Sequence, residues 1–364
     1  MTGLDLISIR DLANTQITAL FALADEFAAT PRRRLDLARD AVMATLFYEP
    51  STRTRMSFEA AMLRLGGQVI SMADPQASSA VKGETLADTV RIVDSYADVI
   101  ALRHPREGAA RVAADFAGVP VINAGDGARE HPTQTLLDLY TIQRETGRLA
   151  GTRVALCGDL KYGRTVHSLV QGLARFGVEM IGVAPHGLEL PERFRRLLRA
   201  QYGVEIAHYP TLDSAPLDTC DVLYVTRLQK ERFADAEAFQ RVRSSYQVSR
   251  QTLERARPDA IVLHPLPRVD ELDYSLDGDP RAAYFRQAAY GVPVRMALIA
   301  AVLGLRALPH CEHPQTVAET TPFSCANPRC ITAVEPAVSP RALQRDGAAC
   351  CAYCEADEEA GCRC

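Results

Sequence analysis

"AVMATLFYEPSTRTRMSF", Ala41–Phe58, runs from a mainly apolar stretch into a turn carrying two arginines and several hydroxyls, then into helical spacing. The first part reads as a buried strand, 42–48, and the last as a helix, 54–65, closed by Gly66-Gly67. Ser51 or Thr52 is available as N-cap, with Glu59 in the first turns. Free backbone N–H groups, hydroxyl donors and a guanidinium therefore converge where strand becomes helix. Such a junction can hold a phosphate without a glycine-rich loop.

The same strand-then-helix unit recurs along the chain. Further candidate strands are 68–72, 98–102, 119–123, 153–157, 178–183, 204–208, 221–226 and 260–264, with helices such as 84–95, 108–117 and 132–146 between them. This alternation predicts an α/β fold of two doubly wound parallel-sheet domains joined by long helices, and the crowding of eight of the ten cysteines after position 310 adds a small C-terminal domain read as zinc-binding. The expected domains are 1–140, 141–290, an apolar terminal helix within 291–308 packing between them, and a linker with the metal domain over 309–364. Ligands in such folds collect beyond the carboxyl ends of strands, so the chemistry is sought in those loops.

Composition narrows the function classes. The 364 residues are 47% hydrophobic and carry a formal net charge of -4, which suits globular cores and offers no bulk attraction to nucleic acid or an anionic membrane. No apolar stretch reaches the roughly 18 residues needed to span a bilayer, and "MTGLDLISIRDLANTQ" has no basic leader or apolar signal core. The expected location is the cytoplasm, where the ten cysteines stay reduced.

Later strand ends carry their own polar sets. "LRHPREGAAR" places Arg103 after one strand, and "GDGAREHPTQTLLDLY" places His131 and Gln134 at the mouth of a helix. "ASSAVKGETLADT" adds Ser78 and Lys82 ahead of another. Any one of these is ordinary surface chemistry; several on one sheet make a site.

The set S-T-R-T-R, K-G-E-T, R-H-P and H-P-T-Q resembles the transcarbamylase family. The resemblance implies that Ser51, Thr52, Arg53 and Thr54 hold the phosphate of carbamoyl phosphate, and that Arg103, His131 and Gln134 contact its carbamoyl group. Ser78 and Lys82 would reach a neighbouring subunit's site, implying a homotrimer. Attack of an amine on the carbamoyl carbon puts negative charge on the carbonyl oxygen and then on departing phosphate. Preset donors there lower the barrier, and no covalent nucleophile is required. Arg53, Thr54, Lys82, Arg103 and His131 are the expected catalytic groups.

The second half bears on the amine. "CGDLKYGRTVHSL" brings Arg164 to a helix start, "VTRLQKERF" brings Arg227, Gln229 and Arg232, and "LHPLPRVDEL" presents the carbonyls of Leu266 and Pro267. Two arginines favour a dicarboxylate acceptor over a diamino acid. These segments resemble the aspartate carbamoyltransferases, where ornithine enzymes carry a Cys in an H-C-L-P segment. The resemblance implies that Arg164, Arg227, Gln229, Leu266 and Pro267 bind aspartate, and that Glu49 bridges Arg164 and Arg232 on domain closure. It implies an enzyme of pyrimidine biosynthesis with no organic cofactor, and leaves open larger assemblies or a partner pathway enzyme. An ornithine transcarbamylase and a non-catalytic scaffold are the alternatives.

The tail holds Cys325-x4-Cys330 and, twenty residues on, Cys351-x2-Cys354. Two such thiolate pairs suit a tetrahedral, structural Zn2+. "CITAVEPAVSPRAL" between them resembles the zinc domain of the aspartate carbamoyltransferase regulatory chain, whose nucleotide-binding half has no counterpart in this sequence. Cys350, Cys362 and Cys364 remain rival ligands.

Overall fold

The computed structural model describes residues 4–30, 34–72, 74, 79–228, 244–311, 323–345 and 348–356. They divide into two compact units, Met1–Thr133 with Val292–Cys364, and Gln134–Gly291.

In the first unit, β1 (Val42–Phe47), β2 (Gln68–Met72), β3 (Val99–His104) and β4 (Val121–Asp126) form a parallel sheet in the order β2-β1-β3-β4. Helices α1 (Asn14–Ala29), α2 (Thr52–Leu65), α3 (Leu86–Asp94) and α4 (Ala109–Phe116) accompany it. Chain order reverses between β1 and β3, where Phe47 stands opposite Arg103. That reversal opens a crevice at the strand ends. Gly66 closes α2 at φ 99°; a Cβ there would lie 2.1 Å from the Leu35 carbonyl oxygen, so only glycine fits.

The second unit opens with α5 (Pro132–Thr146), whose N-terminal residues Pro132 and Thr133 fall in the first. Its sheet has the order β7-β6-β5-β8-β9, built from β5 (Arg153–Cys157), β6 (Glu179–Val183), β7 (Ala207–Tyr209), β8 (Val222–Val225) and β9 (Ile261–Leu263), with α6 (Arg164–Arg175), α7 (Glu192–Tyr202) and α8 (Arg250–Glu254). The reversal lies between β5 and β8, where Cys157 faces Val225.

Several boundaries differ from the sequence reading. The two compact units meet in sequence at 133/134, and the body of α5 packs with the second: a Cβ on Gly172 of α6 would touch Thr135 and Leu139. The terminal helix, α9, begins at Tyr284 rather than near 292 and carries Pro293 inside it. That proline reads as a helix start, yet here costs one internal hydrogen bond. The tail is not a separate unit. Phe323, Ile331, Val338, Ala342 and Tyr353 share one apolar cluster with Ala109, Val112 and Ala113 of α4. A short antiparallel hairpin, β10 (Ala342–Arg345) with β11 (Ala348–Cys351), shapes it.

Candidate functional site

At the first reversal, Ser51 is the N-cap of α2 but makes no side-chain cap hydrogen bond. The first-turn N–H groups of Thr52–Thr54 have no partner within the helix. Thr54 is buried, whereas Arg53 is exposed; partial burial lowers the Arg53 pKa. The Tyr48 N–H donates to the Arg103 carbonyl at 2.8 Å, locking the β1 and β3 ends side by side.

Arg103 and His131, both buried, meet over Gly125 at the end of β4. A Cβ built there would lie 3.5 Å from the His131 ring and 3.8 Å from an Arg103 Nη1. Gly125 has φ 121°, a backbone conformation that favours glycine. Arg103 also pairs with Glu49 at 3.4 Å, and the Thr133 hydroxyl lies 3.4 Å from His131 Nδ1. Nearby His104 is held neutral: burial first, then Arg106, pulls its pKa down to about 4. Lys82 ends an exposed 3-10 turn, Ser79–Lys82; Ser78 lies outside the described residues.

In the second unit, Gly158 has φ 113°, and a Cβ there would fall 2.4 Å from the Thr226 carbonyl oxygen. The loops after β5 and β8 are thus pressed together, one leading to Arg164 at the first turn of α6 and the other carrying exposed Arg227. Gln229 and Arg232 lie outside the described residues. The Leu266–Pro267 bond is cis and Leu266 has φ 52°. This turn is braced from below: the Leu266 N–H donates to His264 Nδ1 at 2.7 Å, and His264 Nε2 meets Glu271 at 2.7 Å.

Sequence reasoning missed a buried hub in the same unit. Asp138 accepts from Gln134 Nε2 at 2.8 Å, Gln287 Nε2 at 2.7 Å and the Tyr224 hydroxyl at 2.8 Å. Gln287 Oε1 in turn accepts from the His264 N–H at 2.8 Å. With its amide nitrogen committed to Asp138, Gln134 is oriented from behind. The i,i+4 spacing of Gln134 and Asp138 was the available signal.

Cys157 and Cys220 are buried and burial raises both thiol pKa values, Cys157 strongly; neither has nucleophile character. Cys325, Cys330, Cys351 and Cys354 bring their sulfurs within 4.8 Å of one another, with Cys325–Cys354 at 3.5 Å and Cys330–Cys351 at 3.9 Å. Sulfurs of a tetrahedral metal site stand about 3.8 Å apart, so the four could hold a metal ion. Hydrogen bonds from the other three thiols pull the Cys330 pKa down and push theirs up or leave them high. A cation is what lets all four ionise together. Cys350 instead donates to the Leu343 carbonyl across the hairpin; Cys362 and Cys364 lie outside the described residues. Among the described residues, no helix is long and apolar enough to cross a membrane.

Two doubly wound sheets, each with arginines at the reversal of strand order, define an enzyme class that holds anionic substrates at strand ends. Residues 4–144 match the carbamoyl-P binding domain of the aspartate/ornithine carbamoyltransferases, and residues 150–302 match their Asp/Orn binding domain. The chain belongs to the aspartate/ornithine carbamoyltransferase family. It is 54% identical over 300 residues to the aspartate carbamoyltransferase catalytic subunit of Thermoplasma acidophilum, covering 82% of this chain and 97% of that one. The solved catalytic subunit of M. jannaschii aspartate transcarbamoylase superposes with TM-score 0.78 at 50% identity, covering 83% and 98% of the two chains. The Trypanosoma cruzi enzyme, solved with carbamoyl phosphate and aspartate, gives 0.77 at 43% identity, covering 82% and 95%.

Proposed function

We propose that the chain transfers the carbamoyl group of carbamoyl phosphate to the amine of L-aspartate, giving N-carbamoyl-L-aspartate and phosphate. The new C–N bond forms as the C–O bond to phosphate breaks, and the proton lost by the amine ends on the departing phosphate. The observation that carries this reading is the meeting of Arg103 and His131 over Gly125, beside the strand end that feeds the α2 N-terminus. Ser51, Thr52, Arg53 and Thr54 take the phosphate and Gln134 accepts from the carbamoyl NH2. Arg103 and His131 donate to the carbonyl oxygen as its charge grows. The substrate's dianion competes with Glu49 for Arg103. Arg164 and Arg227, with Gln229, hold the two carboxylates of aspartate, and the carbonyls of Leu266 and Pro267 accept from the amine and carbamoyl nitrogens.

Lys82 and Ser78 act in a neighbouring copy within a homotrimer. Support comes from the apolar side chains exposed on this unit: Met56, Leu63, Ile70 on edge strand β2, and Val81 beside Lys82 itself. A structural Zn2+ at Cys325, Cys330, Cys351 and Cys354 organises the tail, and the cytoplasm is its place of work. Purified protein given carbamoyl phosphate with either aspartate or ornithine tests the acceptor. Phosphate release with aspartate is expected, and release with ornithine alone would overturn the assignment.

A further inference from the structure

The tail grips the three loops of its own unit that carry Lys82, Arg103 and His131. Glu335 Oε2 accepts from the Leu86 N–H at 2.8 Å, anchoring the start of α3 just after the Lys82 turn. Glu107, in the loop after Arg103, exchanges backbone bonds with Arg329 at 3.0 Å and Ile331 at 2.9 Å, and accepts from Asn327 Nδ2 at 2.8 Å. The third grip is ionic. Glu355, one residue beyond Cys354 and at φ 60°, pairs with Arg129 at 2.6 Å and with Arg10. Arg129 and Arg10 are in turn paired with Asp126 at 3.4 Å and with Glu130 at 3.2 Å respectively. Arg129, Glu130 and Asp126 are almost wholly buried, and Glu130 is followed directly by His131.

Resting on the function proposed above, we propose that the metal-binding tail is a positioning element of the active site, with Glu355 as the clamp that holds the 126–131 loop and so sets His131. The knuckle fixes Glu355: its N–H donates to the Cys351 carbonyl, and the Ala356 carbonyl accepts from Cys351, each at 2.9 Å. Metal at the four sulfurs thus reaches the loop through two ion pairs, without touching substrate. The pairs matter because removing Glu355 cuts the ionic tie between the tail and Arg129 of the loop. Asp126 and Glu130 remain to hold the two arginines after Glu355 is gone, so the loop loosens rather than unfolds.

The test uses the full chain and its measured zinc content. Glu355→Ala should retain zinc, yet amide hydrogen exchange over 126–131 should quicken on the order of tenfold or more, while 153–157 is unchanged. With that loosening, kcat for carbamoyl transfer should fall about tenfold. Glu355→Asp, which keeps a carboxylate opposite Arg129 and Arg10, should quicken exchange less than Glu355→Ala. Unchanged exchange over 126–131 in a zinc-retaining Glu355→Ala protein would overturn the proposal. If that variant loses zinc, Arg129→Met, which leaves the knuckles intact, is read by the same criterion. Exchange is measured without substrate, so a wild type that transfers no carbamoyl group would remove the function proposed above and leave the clamp standing.

Discussion

The two units, with parallel sheets of four and five strands, share a reversal of strand order and differ in how buried their site residues are. Each reverses strand order, between β1 and β3 in one and between β5 and β8 in the other, and each puts arginine beyond the reversal. In the first, Arg103, His131 and Thr54 are buried and already in contact with protein groups. In the second, Arg227 is exposed and Arg164 only half-buried. A buried set is preorganised for charge that develops during reaction, whereas a more exposed arginine loses more side-chain freedom on binding. The first site should therefore govern chemistry and the second acceptor capture.

The largest expected effect separates those roles. Arg103→Ala or His131→Ala should lower kcat by about 10²–10³-fold, the cost of losing one donor to a developing oxyanion. Next, Arg227→Ala should raise the aspartate KM on the order of 100-fold, since it removes a charge-assisted pair made in ground and transition states alike, with kcat less affected. Equal loss of kcat in both variants would erase the distinction between the units.

A third prediction sets the tail against the second unit. Cys351→Ser with Cys354→Ser should abolish bound zinc and lower the thermal stability of the first unit, leaving the second unit's exchange protection in place. Unchanged zinc content would remove that ligand pair.

The smallest effect concerns pH. His104 binds its proton at about 4 when folded against about 6.5 unfolded, so its neutral form contributes stability that is full above pH 6.5 and lost as pH falls towards 4. The ceiling is about 3 kcal/mol. Asp126, pushed up to about 6 by burial, acts oppositely, favouring the folded state at the acid end. His104→Asn should therefore flatten the loss of urea stability between pH 7 and pH 5 relative to the parent protein. An identical slope would show that His104 does not carry it.

Much of this was legible in the sequence where local rules act alone. β2, β5 and α5 have the expected bounds, because apolar runs ended by turn residues, and a proline at the first helical position, fix them without help from elsewhere. Arg103 and His131 were identifiable as strand-end residues, but not their meeting over Gly125, which depends on the neighbouring strand. The Asp138 hub and the Glu355 clamp were illegible for the same reason: their partners lie 86 and 226 positions away in the chain. The start of α9 at Tyr284 was missed because Pro293 imitates an N-terminus while packing sustains the helix through it. The strand, turn and helix N-terminus leading into α2 were the opposite case, readable because they are contiguous in the chain.

On the function proposed here, the first unit binds the phosphate end of the substrate. Calorimetric titration with phosphonoacetamide, which replaces the bridging oxygen of carbamoyl phosphate by CH2, tests it most directly. Binding should be lost in Arg53→Ala and persist at parental affinity in Arg227→Ala. Undiminished binding to Arg53→Ala, or its loss in Arg227→Ala alone, would contradict the account.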